Sequence, residues 1–521
     1  MSYLVRGVCC GYSIGGKRRC EVFTGEVQGL GKDQKRVRRG GILPFELEEV
    51  AARGRITGFS GLPLLAEALR ASGAAGAIEQ GAQSRRRQRE RGLSDAQLAE
   101  SFCLLLAAGG EHFDDFEALC GDEGLAELIG HELPSPSRAK EYLYAFHDGA
   151  PGEDGGSVQS GLFDAGGVAP ELGPLVGLGS ALRAVVAAVQ ACRPVAEATI
   201  DVDATITESA KVEAKMTYEG VRGYQPVVAV WAEQDVVLQD EFRDGNVPAG
   251  AGLLRVVQRA VEALPEGVER LYLRSDSAGY QHELLNWCRE EGIIFAISAD
   301  MSRELLEAME GLKAEAWRLL DVKGGRVRSW AEVEFVPSAG SVKKGRKPDR
   351  YLAIRIEPAQ GDLFADGTRV KHFAVVTNDW ARDGADLIQW HRQKAGTIEH
   401  AHDVYKNELG AGVFPCGRFG ANAGWLRLNS LTYNLLSLLR RTGLPEEFER
   451  ARPKRLRLWV LCVAGEVIHH ARSVVLRVMR ATQRLLGMLC DVRSGLVVLQ
   501  VKLAARSRAA GGQPRAAPGT G

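Results

Sequence analysis

The stretch EATIDVDATI, residues 197–206, decides the fold of this chain of 521 residues. β-Branched and apolar side chains surround two aspartates in it, a composition typical of a β-strand. Because side chains alternate across a strand, Asp201 and Asp203 point to one face and Val202 points to the other. Aspartate is disfavoured inside strands. Two aspartates on one face of an apolar run therefore indicate a functional site.

The sequence that follows this strand alternates between strand and helix patterns. Its segments are QPVVAVWAEQ (225–234) and DVVLQDEFRDG (235–245) as strands, AGLLRVVQRAVEAL (251–264) as an amphipathic helix, VERLYLRSDSAGY (268–280) as a strand, HELLNWCREEG (282–292) as a helix and IIFAISAD (293–300) as a strand. Three strands, helix, strand, helix and strand is the order of an RNase-H-like sheet. The sequence therefore predicts an α/β, RNase-H-like core over residues 197–300.

A third aspartate, Asp276, ends one of these strands in RSDSAG, residues 274–279. Functional sites form at the carboxyl ends of strands in open α/β sheets. The alternative is a turn-forming aspartate before Gly279. If the strands of Asp203 and Asp276 pair in parallel, the two carboxylates become neighbours and repel each other unless a proton or a cation intervenes. Oxygen ligands of this kind suit hard divalent ions such as Mg²⁺.

Candidates for a third carboxylate lie in TIEHAHDVYKNELG, residues 397–410, which reads as a helix. Glu399 and Lys406 are two helical turns apart and share a face. Asp403 can share that face as well, whereas Glu408 lies about 180° away from Glu399. A solvated helix face with an incidental ion pair is the alternative to a site.

Two histidines in the same helix, His400 and His402, do not favour a zinc site. They are only two residues apart, so a regular helix cannot direct both to one metal ion. We interpret both mainly as bystanders to the carboxylate site.

The overall charge is balanced, with 66 Lys and Arg against 66 Asp and Glu, and by itself predicts no polyanionic partner. Basic clusters are nevertheless present at 31–41, 84–91, 342–350 and 450–458. A single basic cluster is usually solvated surface. Several in one chain make a partner with a phosphate backbone a hypothesis to test.

The rest of the chain divides by composition. We expect a basic, disordered arm over 1–41, a helical domain over 42–147, a linker and helix over 148–196, a mostly β inserted or extended element over 301–375, helices over 376–491 and a disordered tail over 492–521. Ser94 and Gln97 form a plausible capping box in the helical domain. Its short helices with basic flanks fit a helix-turn-helix DNA reader and a plain helical bundle equally well.

The cysteines and the hydropathy pattern favour an internal protein. The ten cysteines contain no CxxC pair, so a reduced cytoplasm is expected. Residues 1–41 lack the apolar core of a signal peptide. The most apolar run, 171–192, carries Glu171 and Arg183 and falls short of about 18 uninterrupted apolar residues. We therefore predict no membrane association.

Six stretches together resemble one family. They are ITGFSGLPLLAEALRAS (56–72), LLLAAGGEHFDD (104–115), IDVDAT (200–205), LRSDSAG (273–279), WHRQKAGTIEHAHDVYKNELGAG (390–412) and GRFGANAGWLRLNSLTYNLL (417–436). Over roughly residues 42–491 the chain resembles the DDE transposases of bacterial insertion sequences, in the insertion-sequence-four superfamily. The family numbered thirteen-eighty is the most similar.

The resemblance implies a metal site. Asp203, Asp276 and Glu399 would be the catalytic carboxylates and would bind two Mg²⁺ ions, for which Mn²⁺ can substitute. Asp201 would be a further ligand or a support for the ligands. The superfamily signature, Tyr-x2-Arg-x3-Glu-x6-Lys, is met in its second half by Glu399 and Lys406, and Lys406 would contact a phosphate.

The first half of the signature departs from the family pattern. His391 and Lys394 match its aromatic and arginine positions best, with one residue extra before Glu399. We retain Lys394 as a DNA-binding candidate, together with four residues of the basic loop in the inserted element: Lys343, Lys344, Arg346 and Lys347.

The activity implied is cut-and-paste DNA transposition, by metal-dependent cleavage and strand transfer, with a hairpin as an intermediate to consider. The helical domain at 42–147 would bind terminal inverted repeats, and a homodimer would hold these and the target DNA in the bacterial cytoplasm, at the nucleoid. Trp317 or Trp330 would stack on a flipped base or belong to the core. Two alternatives are a catalytically silent DNA-binding repressor and an RNase-H-like nuclease without strand transfer.

Overall fold

The computed structural model describes residues 34–37, 47–50, 55–81, 92–148, 167–171, 173–337, 349–358, 364, 368–470, 473–478 and 483–511. The chain forms two compact units, Met1–Arg53 and Gly54–Gly521. In the first unit, strands β1 (Gln34–Val37) and β2 (Leu47–Val50) pair antiparallel. The predicted disordered arm thus contains a strand where it is described, and the rest of that prediction lies outside the described residues.

The second unit is built from strands and helices. Its strands are β3 (Arg55–Thr57), β4 (Glu197–Ala204), β5 (Thr207–Glu208), β6 (Lys215–Met216), β7 (Arg222–Tyr224), β8 (Val227–Trp231), β9 (Val236–Glu241), β10 (Arg270–Ser275), β11 (Ile294–Ser298), β12 (Arg318–Lys323), β13 (Arg326–Val333), β14 (Arg350–Pro358), β15 (Lys371–Thr377), β16 (Gly465–His470) and β17 (Ser473–Val478).

Its helices precede, interrupt and follow these strands. They are α1 (Pro63–Ala71), α2 (Ala74–Gly81), α3 (Asp95–Ala108), α4 (Phe116–Cys120), α5 (Glu123–Ile129), α6 (Pro136–Asp148), α7 (Pro174–Cys192), α8 (Leu253–Glu262), α9 (His282–Glu290), α10 (Arg303–Glu310), α11 (Gly384–Arg392), α12 (Ile398–Glu408), α13 (Phe419–Thr442), α14 (Pro453–Leu456) and α15 (Gln483–Gly511).

A nine-stranded sheet lies at the centre, in the order β12-β13-β14-β15-β11-β10-β4-β8-β9. The inner part of this sheet and its helices are formed, in chain order, by β4, β8, β9, α8, β10, α9 and β11. This is the predicted succession of strands and helices. β10 runs parallel to β4 and to β11, whereas β8 runs antiparallel to both β4 and β9. The mixed α/β class with a large sheet is therefore confirmed.

The predicted inserted or extended element is a lateral extension of the sheet. Strands β12 to β15 form an antiparallel meander, and β15 continues it by pairing antiparallel with β11. Trp330, Leu352 and Ile354 from this meander form a small core with Leu387 and Ile388 of α11. That packing places the segment leading to α12 against the sheet.

Helix α13 is the central helix of the larger unit, and nearly all of its side chains are buried. It packs with α7 against β9, while α8 lies on the opposite side of this strand. Neighbouring residues of a strand point to opposite faces of the sheet. Asp240 contacts α13 and Glu241 contacts α8, so these two helices cover opposite faces of β9.

The segment predicted to be helical, 42–147, contains helices α1 to α5 and most of α6 in its described parts, but its residues 47–50 and 55–57 form strands β2 and β3. Ser94 and Gln97 form the expected capping box at the start of α3, with both reciprocal hydrogen bonds present. Strand β3 pairs antiparallel with β16 from the far end of the chain. The β16–β17 hairpin was not expected in a segment predicted to be helical.

The disordered tail predicted for 492–521 is wrong for residues 492–511, which belong to the long helix α15. Val492, Leu496 and Leu499 are buried, at the spacing of one helical face, and α15 packs against α1 and α13. The low-complexity composition of the end of the chain indicated disorder, although residues 492–499 carry this apolar face. Residues 512–521 lie outside the described residues.

One described helix, α7, is long and apolar enough to cross a membrane by length and composition, with a mean hydropathy of 1.7. The sequence predicted that this segment does not span a membrane. Two thirds of it, 67%, is buried inside the protein, and a buried core helix has the same length and composition as a membrane span.

Candidate active site

Two aspartates lie side by side at the carboxyl edge of β4 and β10. These strands pair in parallel with Ser275 opposite Val202, so the next positions in this register are Asp276 and Asp203. Burial and, after it, the negative charge of Asp203 raise the pKa of Asp276 above its ordinary value. The predicted neighbourhood of these two carboxylates, here called the aspartate pair, is confirmed.

Lys394 provides a positive charge next to the aspartate pair. Its Nζ donates a hydrogen bond to Oδ2 of Asp203 at 3.0 Å, and only 11% of its side chain is exposed. Its charge also opposes the rise in the pKa of Asp276. One ammonium therefore acts on both carboxylates, which lowers their mutual repulsion without neutralising both charges.

Asp276 also forms the turn that was considered as the alternative to a site. Its Oδ1 accepts hydrogen bonds from the backbone N–H of Ala278 at 3.2 Å and from Oγ of Ser275 at 3.4 Å. Its Oδ2 accepts none among the described residues. The turn and the site are compatible, because one carboxylate oxygen holds the loop and the other is left for a ligand.

Asp201 is buried and its carboxylate is already engaged. Arg274 donates to its two oxygens at 2.6 and 2.8 Å, and Oγ1 of Thr397 donates to Oδ2. Arg274 also donates to the carbonyl oxygen of Trp390 at 2.6 Å. Asp201 thus connects β4 and β10 to the approach to α12, which suits a support for the site better than a ligand.

Glu399 is an exposed residue in the first turn of α12 and makes no hydrogen bond among the described residues. Two turns later, Nζ of Lys406 donates to the carbonyl oxygen of Ile206 at 2.6 Å. Burial lowers the pKa of Lys406. Because Ile206 follows β4 and α12 packs on β4 and β8, this helix lies beside the strand that carries Asp203.

The donors of the aspartate pair fit a hard divalent cation. Asp203 and Asp276 offer carboxylate oxygens with unused acceptor capacity, and a cation would relieve their repulsion. Glu399 is not gathered with them, since no three His, Cys, Asp or Glu side chains of the described residues are grouped as a metal site. The structure therefore brings two of the three predicted ligands together.

Two other titratable groups of this region, Glu408 and His391, are structural. Glu408 is buried on the side of α12 away from Glu399 and accepts hydrogen bonds from Nε of Arg452 at 2.5 Å and the backbone N–H of Lys454 at 2.8 Å. The ring of His391 lies 3.1 Å from the carbonyl oxygen of Ser275, and burial lowers its pKa to about 4.

Sequence reasoning missed a tyrosine beside the site. Tyr218, in the turn between β6 and β7, is 75% exposed. Its pKa is raised by partial desolvation, then by Glu219, and then by the charges of Asp276 and Asp203. The only signal in the sequence is an aromatic residue two positions before Gly220 in a turn.

The aromatic and basic candidates of the extension have other environments. Trp330 belongs to the small core, and Trp317 is half-buried against the main core, with the Arg355 guanidinium 4.6 Å from its ring centre, so the core alternative fits both. The predicted DNA-binding residues of the basic loop, which are Lys343, Lys344, Arg346 and Lys347, lie outside the described residues.

Paired carboxylates at the carboxyl edge of a mixed sheet define a class of α/β proteins with a candidate metal centre. The sequence model of the family described as Transposase DDE domain group 1 matches residues 48–486. The chain belongs to this family of DDE transposases. No curated protein matches it.

Among solved structures, the chain is similar to a piggyBac transposase in a synaptic complex with hairpin DNA, determined by cryo-electron microscopy. The two chains are 10% identical, the alignment covers 88% of this chain and 87% of the other, and the TM-score is 0.44.

Proposed function

We propose that this protein is an active transposase that binds the terminal inverted repeats of its element and catalyses metal-dependent DNA cleavage and strand transfer. The observation that carries the proposal is the aspartate pair, in which Asp203 and Asp276 adjoin at a strand edge with acceptor capacity left over. Membership of the DDE transposase family supports the same activity.

The inner sheet supports an RNase-H-like core as the platform for this chemistry. Strands β9, β8, β4, β10 and β11 lie in that spatial order, with β4, β10 and β11 parallel and β8 antiparallel to β4. We assign the chain to the thirteen-eighty-type family of the insertion-sequence-four superfamily on its quoted motifs, which implies a bacterial element and a cytoplasmic, nucleoid-associated enzyme.

Asp203, Asp276 and Glu399 would hold two Mg²⁺ ions, or Mn²⁺ in their place. When bound, such ions lower the pKa of the attacking hydroxyl and stabilise the charge on the leaving oxygen. The aspartates provide oxygen ligands from a rigid sheet edge. Glu399 would provide the third carboxylate from the exposed start of α12.

The lysines of the site would orient the DNA. Lys406 and Lys394 lie on either side of the segment that carries Glu399, and each has a single charge to offer to a backbone phosphate. Asp201 would keep Arg274 and Thr397 in place, and with them the relative positions of β10 and α12. A fixed geometry of this kind is needed for in-line attack.

The DNA partners follow from the proposed reaction. The helices of residues 63–148 would bind the terminal repeats, the basic loop at 342–350 would grip the backbone, and two protomers would pair the transposon ends for insertion into target DNA. Cleavage through a hairpin at the transposon end is the route implied by the family resemblance. Tyr218 is the exposed aromatic residue that the site offers to a displaced base.

Two other functions make different predictions. A silent repressor would bind the terminal repeat without cutting it, and it needs no carboxylates with unused acceptor capacity. An RNase-H-like nuclease would cut branched or hybrid substrates without depending on the repeat. The aspartate pair favours an enzyme over the repressor, and the family favours transposition over the nuclease.

The test is Mg²⁺-dependent cleavage of a duplex that carries the element's terminal repeat. We expect the wild type to cut it and Glu399→Gln to bind it without cutting. Glu262→Gln, an exposed glutamate at the end of α8, is the matched control and should cut normally.

Three outcomes would change the proposal. Binding without cutting by the wild type would favour the repressor, and cutting that ignores the repeat would favour the nuclease. Glu408→Gln is the test of helix register. If it abolished cleavage while its melting temperature and repeat binding stayed normal, the assignment of Glu399 would be wrong.

A further inference from the structure

His402 is buried in α12, and its ring has no hydrogen-bonding partner in the part of the chain that the structure describes. The residue is 8% exposed, and neither Nδ1 nor Nε2 makes a hydrogen bond with any described residue. A buried polar atom without a partner weakens the folded state, because it has lost its hydrogen bonds to water. Such a group in a folded protein therefore needs an explanation in terms of a ligand, a water or a function.

The surroundings of this ring are cationic. Burial and then the charges of Lys406 and Lys394 lower the pKa of His402 to about 3. The imidazole is therefore neutral at physiological pH and presents one N–H donor and one acceptor nitrogen. The two lysines already have partners on the protein, since Lys394 donates to Asp203 and Lys406 donates to the carbonyl oxygen of Ile206.

The helix places His402 on the same side as the proposed catalytic glutamate. It follows Glu399 by three residues and precedes Lys406 by four, and both spacings bring side chains to adjacent positions on a helix. Lys394 approaches from the turn before α12. The charges of Lys394 and Lys406 both act on the ring of His402. We call this group of three side chains, beside the carboxyl end of β4, the His402 pocket.

The charge of the His402 pocket selects its ligand. Two ammonium groups disfavour a metal cation, and a neutral N–H donor between them favours an oxygen that carries negative charge. A buried water is the alternative, because it could satisfy the ring nitrogens without any substrate. An apolar packing role is less suited, because a phenyl ring would fill the same space without two unsatisfied nitrogens.

We propose that the His402 pocket binds a phosphate oxygen of the DNA strand held at the catalytic carboxylates, with the neutral imidazole donating the hydrogen bond. This inference rests on the proposed function and deepens it by assigning the substrate contact to a residue that the family signature does not include. His402 acts as a binding residue, since no bond is made or broken at its ring.

The test is the affinity of the full chain for a fluorescent duplex carrying the terminal repeat, titrated at several salt concentrations in Ca²⁺. We expect His402→Phe, which keeps the ring and removes both nitrogens, to weaken binding about tenfold, the size of a lost hydrogen bond to a charged group. His402→Gln keeps a neutral N–H donor and should retain most of the affinity.

The salt dependence separates the histidine from its neighbours. A neutral donor releases no counterion, so His402→Phe should leave the slope of log affinity against log salt unchanged. Lys394→Gln should reduce the steepness of that slope by about one. His402→Phe binding like the wild type would overturn the proposal and leave a buried water as the ligand. A changed slope in that variant would overturn it too, because the loss would then come from displaced lysines.

A failure of this proposal can be told apart from a failure of the proposed function. The affinities are compared without cleavage, whereas the proposed function is judged by cutting in Mg²⁺. A wild type that binds the repeat but does not cut it would contradict transposase activity, while the affinity of His402→Phe would still decide the role of the pocket. Melting temperatures of all variants show that the measured chains are folded.

Discussion

Two groups of charged side chains lie against the nine-stranded sheet, and they differ in how completely their hydrogen bonds are satisfied. The first, the buried arginine cluster, consists of Arg427, Asp240 and Glu171 between β9, α13 and α7. Nε of Arg427 donates to both oxygens of Asp240 at 2.8 Å, and its Nη2 donates to Glu171 at 2.6 Å. Ser430 donates to Asp240 as well, at 2.6 Å.

The second group is the aspartate pair at the ends of β4 and β10. Each aspartate gives one oxygen to a nearby backbone N–H, that of Ala204 for Asp203 and that of Ala278 for Asp276. A single ammonium, that of Lys394, serves both carboxylates. Acceptor capacity therefore remains in the aspartate pair, whereas the carboxylates of the buried arginine cluster are more fully hydrogen-bonded.

The comparison teaches that burial of charge does not by itself mark a functional site. A buried ion pair with all its hydrogen bonds made stabilises its own arrangement and has no capacity left for a ligand. Two carboxylates that are not fully compensated by positive charge repel each other and lower the free energy of unfolding. A bound cation removes this repulsion and restores the stability. Unused acceptor capacity distinguishes the site from the structural cluster.

The largest effect is expected from Asp276→Asn, which removes a charge from the aspartate pair and keeps the turn. Cleavage of the terminal repeat should fall by about a thousandfold or more, since metal stabilisation of the transition state contributes several kcal/mol. Folding should be unharmed, because the variant removes repulsion. The measurements are single-turnover cleavage rates and denaturant unfolding.

Asp300→Asn is the matched control for this prediction. Asp300 is an exposed aspartate shortly after the neighbouring parallel strand β11, and the variant should cut at the wild-type rate. If Asp276→Asn cut at the wild-type rate, or if its free energy of unfolding fell as it does when a buried core residue is replaced, the contrast between the two charge groups would be contradicted.

The next effect is on stability and concerns the buried arginine cluster. Arg427→Met leaves the Asp240 carboxylate buried without its partner, so we expect the free energy of unfolding to fall by about 3–5 kcal/mol. Arg183→Met, an exposed arginine of α7, should change it by less than about 0.5 kcal/mol. Urea unfolding of both variants provides the comparison.

A second substitution identifies the cause of the loss. Adding Asp240→Asn to Arg427→Met removes the unpaired charge, and the double variant should recover part of the stability. A double variant less stable than Arg427→Met would show that packing, not charge, accounts for the loss.

The sequence predicted the aspartate pair because it depends on local rules. Alternation in IDVDAT puts Asp201 and Asp203 on one face, and the order of elements makes the strands of Asp203 and Asp276 parallel neighbours. The distinct roles of Asp201 and Asp203 were not predictable. They depend on Arg274 and Thr397, which reach Asp201 only after the chain has folded.

Features that rest on contacts between distant segments were missed. Asp240 and Arg427 are 187 residues apart, and neither stands out in its own segment. The helix at 492–511 was missed because its apolar face gains meaning only against α1 and α13. The position of Glu399 could not be predicted from the sequence either. The helix and the face that carries Glu399 were predicted, but its separation from the aspartate pair was not.

The smallest effect concerns pH and the metal-free protein. The pKa of Asp276 is raised on folding by burial and by Asp203, so the folded state holds the proton more tightly than the unfolded state. The stability of the wild type should fall as pH rises from the ordinary aspartate pKa through the raised folded value, and then level off. Asp276→Asn should lack this decline, so its advantage over the wild type grows with pH in that window.

Mg²⁺ should reverse this difference above the window. The ionised aspartate pair binds the cation and gains stability from it, whereas Asp276→Asn has lost one ligand and gains less. Melting temperatures of both proteins, with EDTA and with Mg²⁺, test this across the acidic to neutral range. Parallel pH curves in EDTA would mean that Lys394 already compensates both carboxylates, and the aspartate pair would then resemble the buried arginine cluster more closely than its hydrogen bonds indicate.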